Sequence, residues 1–385
     1  MTKTTDSVGV SSEKPRELRS LNADEVGRVL AEWGHKSYRV TQLLGWLYKK
    51  RVCSIDEMSD LPQELRDQLA GAFLLKPLEL AKEQRSQDGT VKFLWRLADG
   101  ELIETVLIPA SVGRDGNRSD RHTLCVSSQV GCAYGCKFCA SGLMGYKRNL
   151  DAYEIVDQVL AVERWQLTKG GEPVKPQGGL VNNIVMMGMG EPLANYGNLT
   201  RALEIFNSSW GLNIGARKIT VSTSGLAPQI RRLAETPQQY HLAISLHGAT
   251  DEVRDKIMPV NRKYPIEELI SACEVYQQAK GRMIWVEYIL IDDVNTGPDQ
   301  VEALSGLAKR LQCKVNLIPY NPVDGIELKR PSAGTVGQFR DALHHNGVRV
   351  TVRTEKGTDI DAACGQLRLK SEKKTDETQA FGQAV

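Results

Sequence analysis

Three cysteines in the stretch Cys132-Ala-Tyr-Gly-Cys136-Lys-Phe-Cys139 have the types and spacing to hold a small inorganic centre. A [4Fe–4S] cluster normally takes four protein thiolates. Three ligands leave one iron with an open position, which is what reaction chemistry needs. Two other readings stand beside this one. Cys125 lies seven residues upstream and would complete a four-cysteine zinc site, although the second C-x₂-C of a usual zinc pair is missing. Cysteines also serve as small buried hydrophobes. The loop favours iron–sulfur over zinc, and zinc over mere burial.

Further along, Gly188-Met-Gly190-Glu191-Pro-Leu193 has two glycines that let a ligand approach the backbone, and a carboxylate that can accept from a bound ammonium. It is not a dinucleotide fingerprint, because Leu193 takes the place of the last glycine. Ser222-Thr-Ser224-Gly and Ser245-Leu246-His247 put hydroxyls and an imidazole at the ends of apolar runs, where turn-forming and structural roles are equally ordinary. Asn321, in Pro319-Tyr-Asn-Pro322, could bond an adenine edge or simply make a turn. Glu104 interrupts the apolar run Leu102–Pro109, and strand alternation alone predicts a solvated face for it. Cys364, between alanine and glycine, is accessible enough for a nucleophile, although spacing alone favours an ordinary loop thiol.

These residues need a scaffold. With 385 residues, 41% hydrophobic and 25% charged, the chain is ordinary for one large α/β domain and a smaller one. A net charge of +2 neither demands nor excludes a nucleic-acid partner. No run is apolar enough for a membrane span and the N-terminus has no signal-peptide core, so a cytoplasmic protein is expected. Eight cysteines, unevenly placed, do not form a disulfide framework.

Residues 1–16 and 370–385 are polar tails. Residues 17–78 read as a helical accessory domain, starting at an Asn22 cap with Glu25 as capping-box partner. Two further helices follow, through Val40–Leu47 and from Leu61-Pro62 to Phe73. Over 79–122 the period becomes two, with Asp88-Gly89 and Asp99-Gly100 turns, which predicts a β-meander and a loop. From 123 to 369 strands alternate with helices. Strands are expected at 123–128, 182–187, 217–222, 241–246, 283–289 and 313–318, and helices near 151–167, 197–209, 265–279 and 298–310. Six such units suggest an incomplete barrel with its ligands at the carboxyl ends of the strands.

The cysteine spacing resembles the cluster loop of radical S-adenosylmethionine (SAM) enzymes. The chain as a whole resembles the RlmN-type dual-specificity RNA methyltransferases over about 20–370. The matching stretches are Ile103–Val106, Cys125–Cys139, Gly188–Leu193, Val221–Gly225, Ala243–His247, Ile257–Asn261 and Asp359–Leu367. The 111–122 loop is longer than the family pattern. The resemblance implies an α/β fold: an incomplete (β/α)6 radical-SAM barrel, with the N-terminal helical domain joined to it by the β-meander. It implies a [4Fe–4S] cluster on Cys132, Cys136 and Cys139, and SAM held by Gly190, Glu191, Ser222, Ser245, Leu246, His247 and Asn321. The implied reaction adds a methyl group to C2 of adenine 2503 in 23S rRNA and adenine 37 in tRNA.

That carbon is electron-poor and its C–H is not acidic, so ordinary transfer from SAM fails. By resemblance, one SAM methylates Cys364. A second gives a deoxyadenosyl radical that takes hydrogen from the S-methyl group, and the methylene radical adds to C2. Glu104 is the implied proton acceptor, and Cys125 releases the product by closing a transient disulfide with Cys364. Cys53, Cys273 and Cys313 are left as packing residues. The implied partners are 23S rRNA and tRNA, with an electron donor such as flavodoxin, acting on a monomer without a membrane.

RNA contacts are expected from Lys137, Lys147, Arg148, Arg217, Lys218, Arg254 to Lys263, Lys329 and Arg330. Lys36, Arg39, Lys49, Lys50 and Arg51 of the helical domain are added to these. The competing readings are a Cfr-like enzyme attacking C8, a non-catalytic metal- and RNA-binding protein, and a radical-SAM enzyme for a smaller substrate. The helical domain and the Ile257–Asn261 stretch lean towards C2.

Overall fold

The computed structural model describes residues 16–110, 119–168, 179–363 and 365–367. Two compact units divide between Pro77 and Leu78. In the first, the Asn22 side chain accepts the Glu25 N–H at 2.9 Å and Glu25 returns to the Asn22 N–H at 2.8 Å, starting the helix Ala23–Glu32. The helix Tyr38–Leu44 continues as a wider π turn, Gly45–Lys50, which ends at Arg51 in a left-handed conformation. This widening lets Trp46, Leu47 and Tyr48 all be buried in succession. The helix Gln63–Ala72 adds Leu65 and Leu69 to the same core. The strand pair Arg16–Glu17 and Phe73–Leu74 joins the ends of the unit, where buried Arg19 meets Glu17 at 2.6 Å and the Lys76 carbonyl at 2.7 Å.

Among the described residues, the second unit is built on one ten-stranded sheet. Seven of those strands are parallel: His122–Cys125, Asn183–Met186, Ile219–Thr223, His241–Ser245, Trp285–Leu290, Lys314–Pro319 and Arg349–Val352, neighbours in that order. Helices between them include Ala152–Thr168, Tyr196–Asn207, Ala227–Ala234, Ile266–Lys280, Pro298–Arg310 and Ala333–His345. The parallel strands read as apolar runs because both faces are covered; all five residues of Ile219–Thr223 are buried.

Two features differ from the pattern read in the sequence. A seventh parallel strand, Arg349–Val352, lies in register with Lys314–Leu317. Its half-exposed Arg-Val-Thr-Val gives too short an alternation to stand out. The meander, moreover, is more than a bridge. Glu79–Arg85, Val91–Arg96 and Leu102–Pro109 extend the barrel sheet antiparallel, with Val106 opposite Cys125.

Candidate active site

Every parallel strand delivers its following loop to the carboxyl end of the sheet, and the cysteine loop follows the first. Cys132 N–H donates to the Gly145 carbonyl (2.9 Å), Cys139 N–H to Cys136 (3.2 Å) and Lys137 N–H to Ile257 (2.9 Å). Gly131 has φ +74°, and a Cβ there would fall 1.9 Å from the Gly145 oxygen, so only glycine lets the loop close. The three thiols are half-buried and close enough for their thiolates to repel one another. Burial first, then Cys139 and Glu191, push the Cys132 thiol up to about 12; burial also raises Cys136 and Cys139. Thiols so reluctant to ionise alone are suited to a cationic centre that displaces their protons. Among the described residues no three His, Cys, Asp or Glu side chains stand in metal-holding geometry, so the ligand set rests on spacing and mutual proximity.

The Gly188–Glu191 turn lies beside this loop. A Cβ on Gly188 would be 2.7 Å from Ser127 Oγ, and one on Gly190 (φ +97°) 2.5 Å from Gln129 Cβ. The glycines therefore admit the 127–129 segment, where the sequence suggested room for a ligand. Met189 N–H donates to Ser127 Oγ (2.9 Å), and Glu191 N–H to Gln129 Oε1 (2.8 Å). The Glu191 carboxylate is buried and accepts from Leu193 N–H at 3.1 Å and Ser224 N–H at 2.6 Å. Burial raises its pKa against those bonds.

His247 is buried with φ +59°, edge-on to Phe138 of the cysteine loop at 4.9 Å. Burial, then Arg254, lowers its pKa to about 3, so the ring is neutral. Its Nδ1 accepts Ile289 N–H at 3.0 Å, and a hydrogen bond to the Glu287 backbone opposes the lowering without outweighing it. Ser222 is buried and Ser245 half-buried at their strand ends. Leu246 is fixed by its N–H to the Glu287 carbonyl (3.1 Å). Asn321 is buried, its Oδ1 taken by Arg330 at 3.1 Å, leaving the amide NH₂ as the group able to meet a base edge.

Several residues that organise the site gave no sequence signal for that role. Arg254 is wholly buried and donates to the carbonyls of Leu246 (3.1 Å) and Ser224 and to Asn261 Oδ1 (2.7 Å). Burial lowers it to about 10, against the pull of Cys136, Asp251 and Asp255, so it stays charged. It clamps the turns after two strands and cannot be part of the RNA face expected for Arg254 to Lys263. Asn261, within the Ile257–Asn261 stretch, completes the clamp by donating to Asp251 (2.9 Å) and Asp255 (2.8 Å). Gln158 holds Ser127 through 2.8 and 2.9 Å bonds.

Glu104 is fully buried, which overturns the solvated face. Strand register explains where it goes. Lys92 and Cys125 both lie directly across from Val106, on opposite sides, so Lys92, Val106 and Cys125 share one face with Glu104 diagonal to both. Lys92 Nζ is 3.5 Å from Glu104 Oε1. Cys364 lies outside the described residues. Its neighbour Gly365 (φ +85°) accepts from Ala140 N–H at 2.7 Å, and a Cβ on it would be 3.3 Å from the Phe138 carbonyl oxygen.

Other expected surfaces are altered by ion pairs. Arg148 is tied to Asp99 and Glu154 at 2.7 Å, Lys147 to Glu101 at 2.8 Å and Arg330 to Glu355 at 2.6 Å. Lys137, Arg217 and Lys218 remain exposed. Cys273 and Cys313 are buried as expected, but Cys53 is exposed and does not serve packing.

Residues 16–74 match the ribosomal RNA large subunit methyltransferase N-terminal domain, and residues 177–302 match the radical SAM superfamily, downstream of the cysteine loop. A "Probable dual-specificity RNA methyltransferase RlmN" from Akkermansia muciniphila is 52% identical over 89% of this chain and 92% of its own. The chain belongs to the RlmN family of radical SAM RNA methyltransferases. The "Dual-specificity RNA methyltransferase RlmN" of Anaeromyxobacter dehalogenans is 47% identical over 91% of each chain. A crystal structure of a radical SAM methyltransferase from Sphaerobacter thermophilus superposes with a TM-score of 0.83, at 45% identity, over 92% of this chain and 99% of that one. RlmN family membership calls for a [4Fe–4S] cluster and SAM. The site fits both: three adjacent thiols, a buried carboxylate for an ammonium and a neutral imidazole converge on the carboxyl end of the sheet. No helix among the described residues is long and apolar enough to cross a membrane.

Proposed function

We propose that this enzyme methylates C2 of adenine, at adenine 2503 of 23S rRNA and adenine 37 of tRNA, through a methyl group carried by Cys364. The observation that carries the reading is the shared face of Glu104 and Cys125: a buried carboxylate and a thiol, diagonal neighbours on adjacent strands. That is the pair needed to take a proton from an adduct and then to free it.

Cys132, Cys136 and Cys139 would hold the cluster. Glu191 would receive the SAM ammonium, with Gly190, Ser222, Ser245, Leu246, His247 and Asn321 around the rest of the molecule. Bound together, the cluster and SAM supply one-electron cleavage of a sulfonium bond and hence removal of a hydrogen atom from an unactivated methyl group. Glu104 takes the C2 proton, and the Cys125 thiolate attacks the Cys364 sulfur: the S–S bond forms, the S–CH₂ bond breaks, and the freed carbon takes a proton to become the methyl group, leaving a disulfide. The target base must leave its stack to reach such a site. The helical unit and the exposed Lys137, Arg217 and Lys218 would grip phosphate, and the reductant would be a flavodoxin-like donor to a monomer.

The test is anaerobic reconstitution with SAM, dithionite and an rRNA fragment, followed by mass spectrometry of the nucleosides, with Cys364→Ala alongside. 2-Methyladenosine from the wild type alone is expected. 8-Methyladenosine would refute the C2 assignment, and deoxyadenosine without a methylated base would refute the substrate.

A further inference from the structure

Lys92 is out of place by every local rule. It lies mid-strand in Val91-Lys-Phe-Leu-Trp95, where all five residues are buried, and it is only 5% exposed. A buried ammonium loses its hydration and persists only where protein groups replace the water. Here they are the Glu104 carboxylate, 3.5 Å away and 0% exposed, and the Asp361 carbonyl, which accepts from Nζ at 3.2 Å. Asp361 belongs to the segment that leads to Cys364. The hairpin before Lys92 grips the same segment twice: Gly357 N–H donates to Asp88 (3.0 Å), and Gln87 N–H donates to Asp359 (3.1 Å).

Among the described residues, the ionisable groups around Glu104 are few. From the 91–96 strand comes Lys92, from the 122–125 strand Cys125, and from the 357–363 segment Asp361, which meets Lys92 through its backbone carbonyl. The neighbours on the opposite face, Thr105 and Gln158, are neutral and bonded to each other at 2.9 Å. Among the described residues, Lys92 is therefore the cation paired with this carboxyl group.

We propose that Lys92 is a positioning residue for the reaction, its ammonium keeping Glu104 ionised out of water and aimed along the segment that carries Cys364. This rests on the C2-methylation reading. In the step concerned, the C2–H bond of the adduct breaks heterolytically. The proton passes to a Glu104 oxygen, the bonding pair restores the purine ring, and the unpaired electron left by radical addition would return to the cluster that supplied it. Glu104 becomes neutral while Lys92 keeps its charge, so the same ammonium favours return of that proton later. Lysine contributes charge here; methionine would fill the same space without it.

The test compares Lys92→Met, Lys92→Arg, Glu104→Gln and the double variant Lys92→Met/Glu104→Gln in reconstituted full-length enzyme. Losing a cation at this distance raises a buried carboxyl by about 1–3 pH units. Lys92→Met is expected to cleave SAM and methylate Cys364 as the wild type does, by protein mass. It should then accumulate a covalent protein–RNA adduct on denaturing gels and form product at least about tenfold more slowly at pH 7. Raising the pH should restore it, with the rising limb of the pH–rate profile moved up by about 1 unit or more, and Lys92→Arg should recover most of the rate. The double variant should be no slower than Glu104→Gln. An unmoved pH limb, additive losses, or equal loss of Cys364 methylation and product would each overturn the proposal. Should Lys92→Met not fold, Lys92→Gln in the same assays decides. Absence of 2-methyladenosine from the wild type would instead refute the function, independently of Lys92.

Discussion

Replacing Arg254 by methionine tests whether the turns of the proposed SAM site are held by one buried cation. The guanidinium has 0% exposure and donates to three acceptors on three segments: Ser224, Leu246 and Asn261. Methionine fills much of the volume and supplies no donor. Each buried acceptor left without a donor costs about 1–3 kcal/mol, and some will relax towards other groups. Asp251 and Asp255 also lose the cation nearest them, although Asn261 still donates to both. Removing one member of a buried ionic network typically costs about 3–5 kcal/mol, and that range is the expected loss here. Urea unfolding of the cluster-free protein, followed by circular dichroism, measures it. Because Ser224 and Leu246 are the clamped residues, SAM affinity of the reconstituted protein should fall at least about tenfold, or about 1.4 kcal/mol. Arg254→Lys, which can satisfy only part of the set, should fall between. A loss below about 1 kcal/mol with SAM affinity within about twofold of wild type would refute the reasoning.

The His247 ring has a folded pKa near 3 against about 6.5 unfolded, so the unfolded chain binds the extra proton between those values. Stability should therefore fall as pH drops from about 6.5 towards 3, by up to about 1.4 kcal/mol per unit, and His247→Asn should flatten that slope in acid titrations of unfolding. Asp88 is held at about 2: burial would raise it, but hydrogen bonds from Thr90 and Gly357 outweigh that. Its contribution is fully present above about 4 and lost as pH falls through about 2, so Asp88→Asn should cost about 1 kcal/mol at pH 6, allowing for solvent screening, and progressively less as pH falls through about 2. Gly190→Ala forces a Cβ to within 2.5 Å of Gln129 at φ +97° and should lower stability by about 2 kcal/mol or more in the same unfolding assay. Lys49→Ala/Lys50→Ala/Arg51→Ala should weaken RNA binding and flatten its salt dependence by about 0.7–0.9 for each phosphate no longer neutralised, as read by filter binding at several salt concentrations.

What could be read from the sequence is what the chain writes over short distances. The cysteine spacing, the Asn22–Glu25 cap and the alternation of strand with helix each need fewer than about twenty residues to be seen. The groups that passed unseen are those whose partners are far away. Lys92 meets a carbonyl 269 residues downstream, and Arg254, read from the sequence as an RNA contact, meets Ser224 at a separation of 30. Alternation assigned Glu104 to solvent because one solvated face is the usual state of an antiparallel strand. The rule fails where the meander joins the barrel sheet, since both faces of Val91–Trp95 are covered there.

Register is the link between that fold and its chemistry. Side chains alternate with period two, so Glu104 and Cys125 share a face only because Val106 lies opposite Cys125. A slip of one residue would turn Glu104 towards Gln158 and bring Thr105 to the face shared by Lys92 and Cys125. The hairpin at Asp99-Gly100 guards the half of this register that pairs Val106 with Lys92. Gly100 takes φ +88°, its N–H donates to the Leu97 carbonyl at 2.9 Å, and Leu97 N–H donates to Glu101 at 2.8 Å. Asp99 adds a 3.1 Å bond from Glu101 N–H. This closed turn fixes Arg96 opposite Leu102, and therefore Lys92 opposite Val106. The position of the candidate base relative to Lys92 is thus set by a turn outside the cysteine loop, which is why motif spacing alone could not supply that pairing.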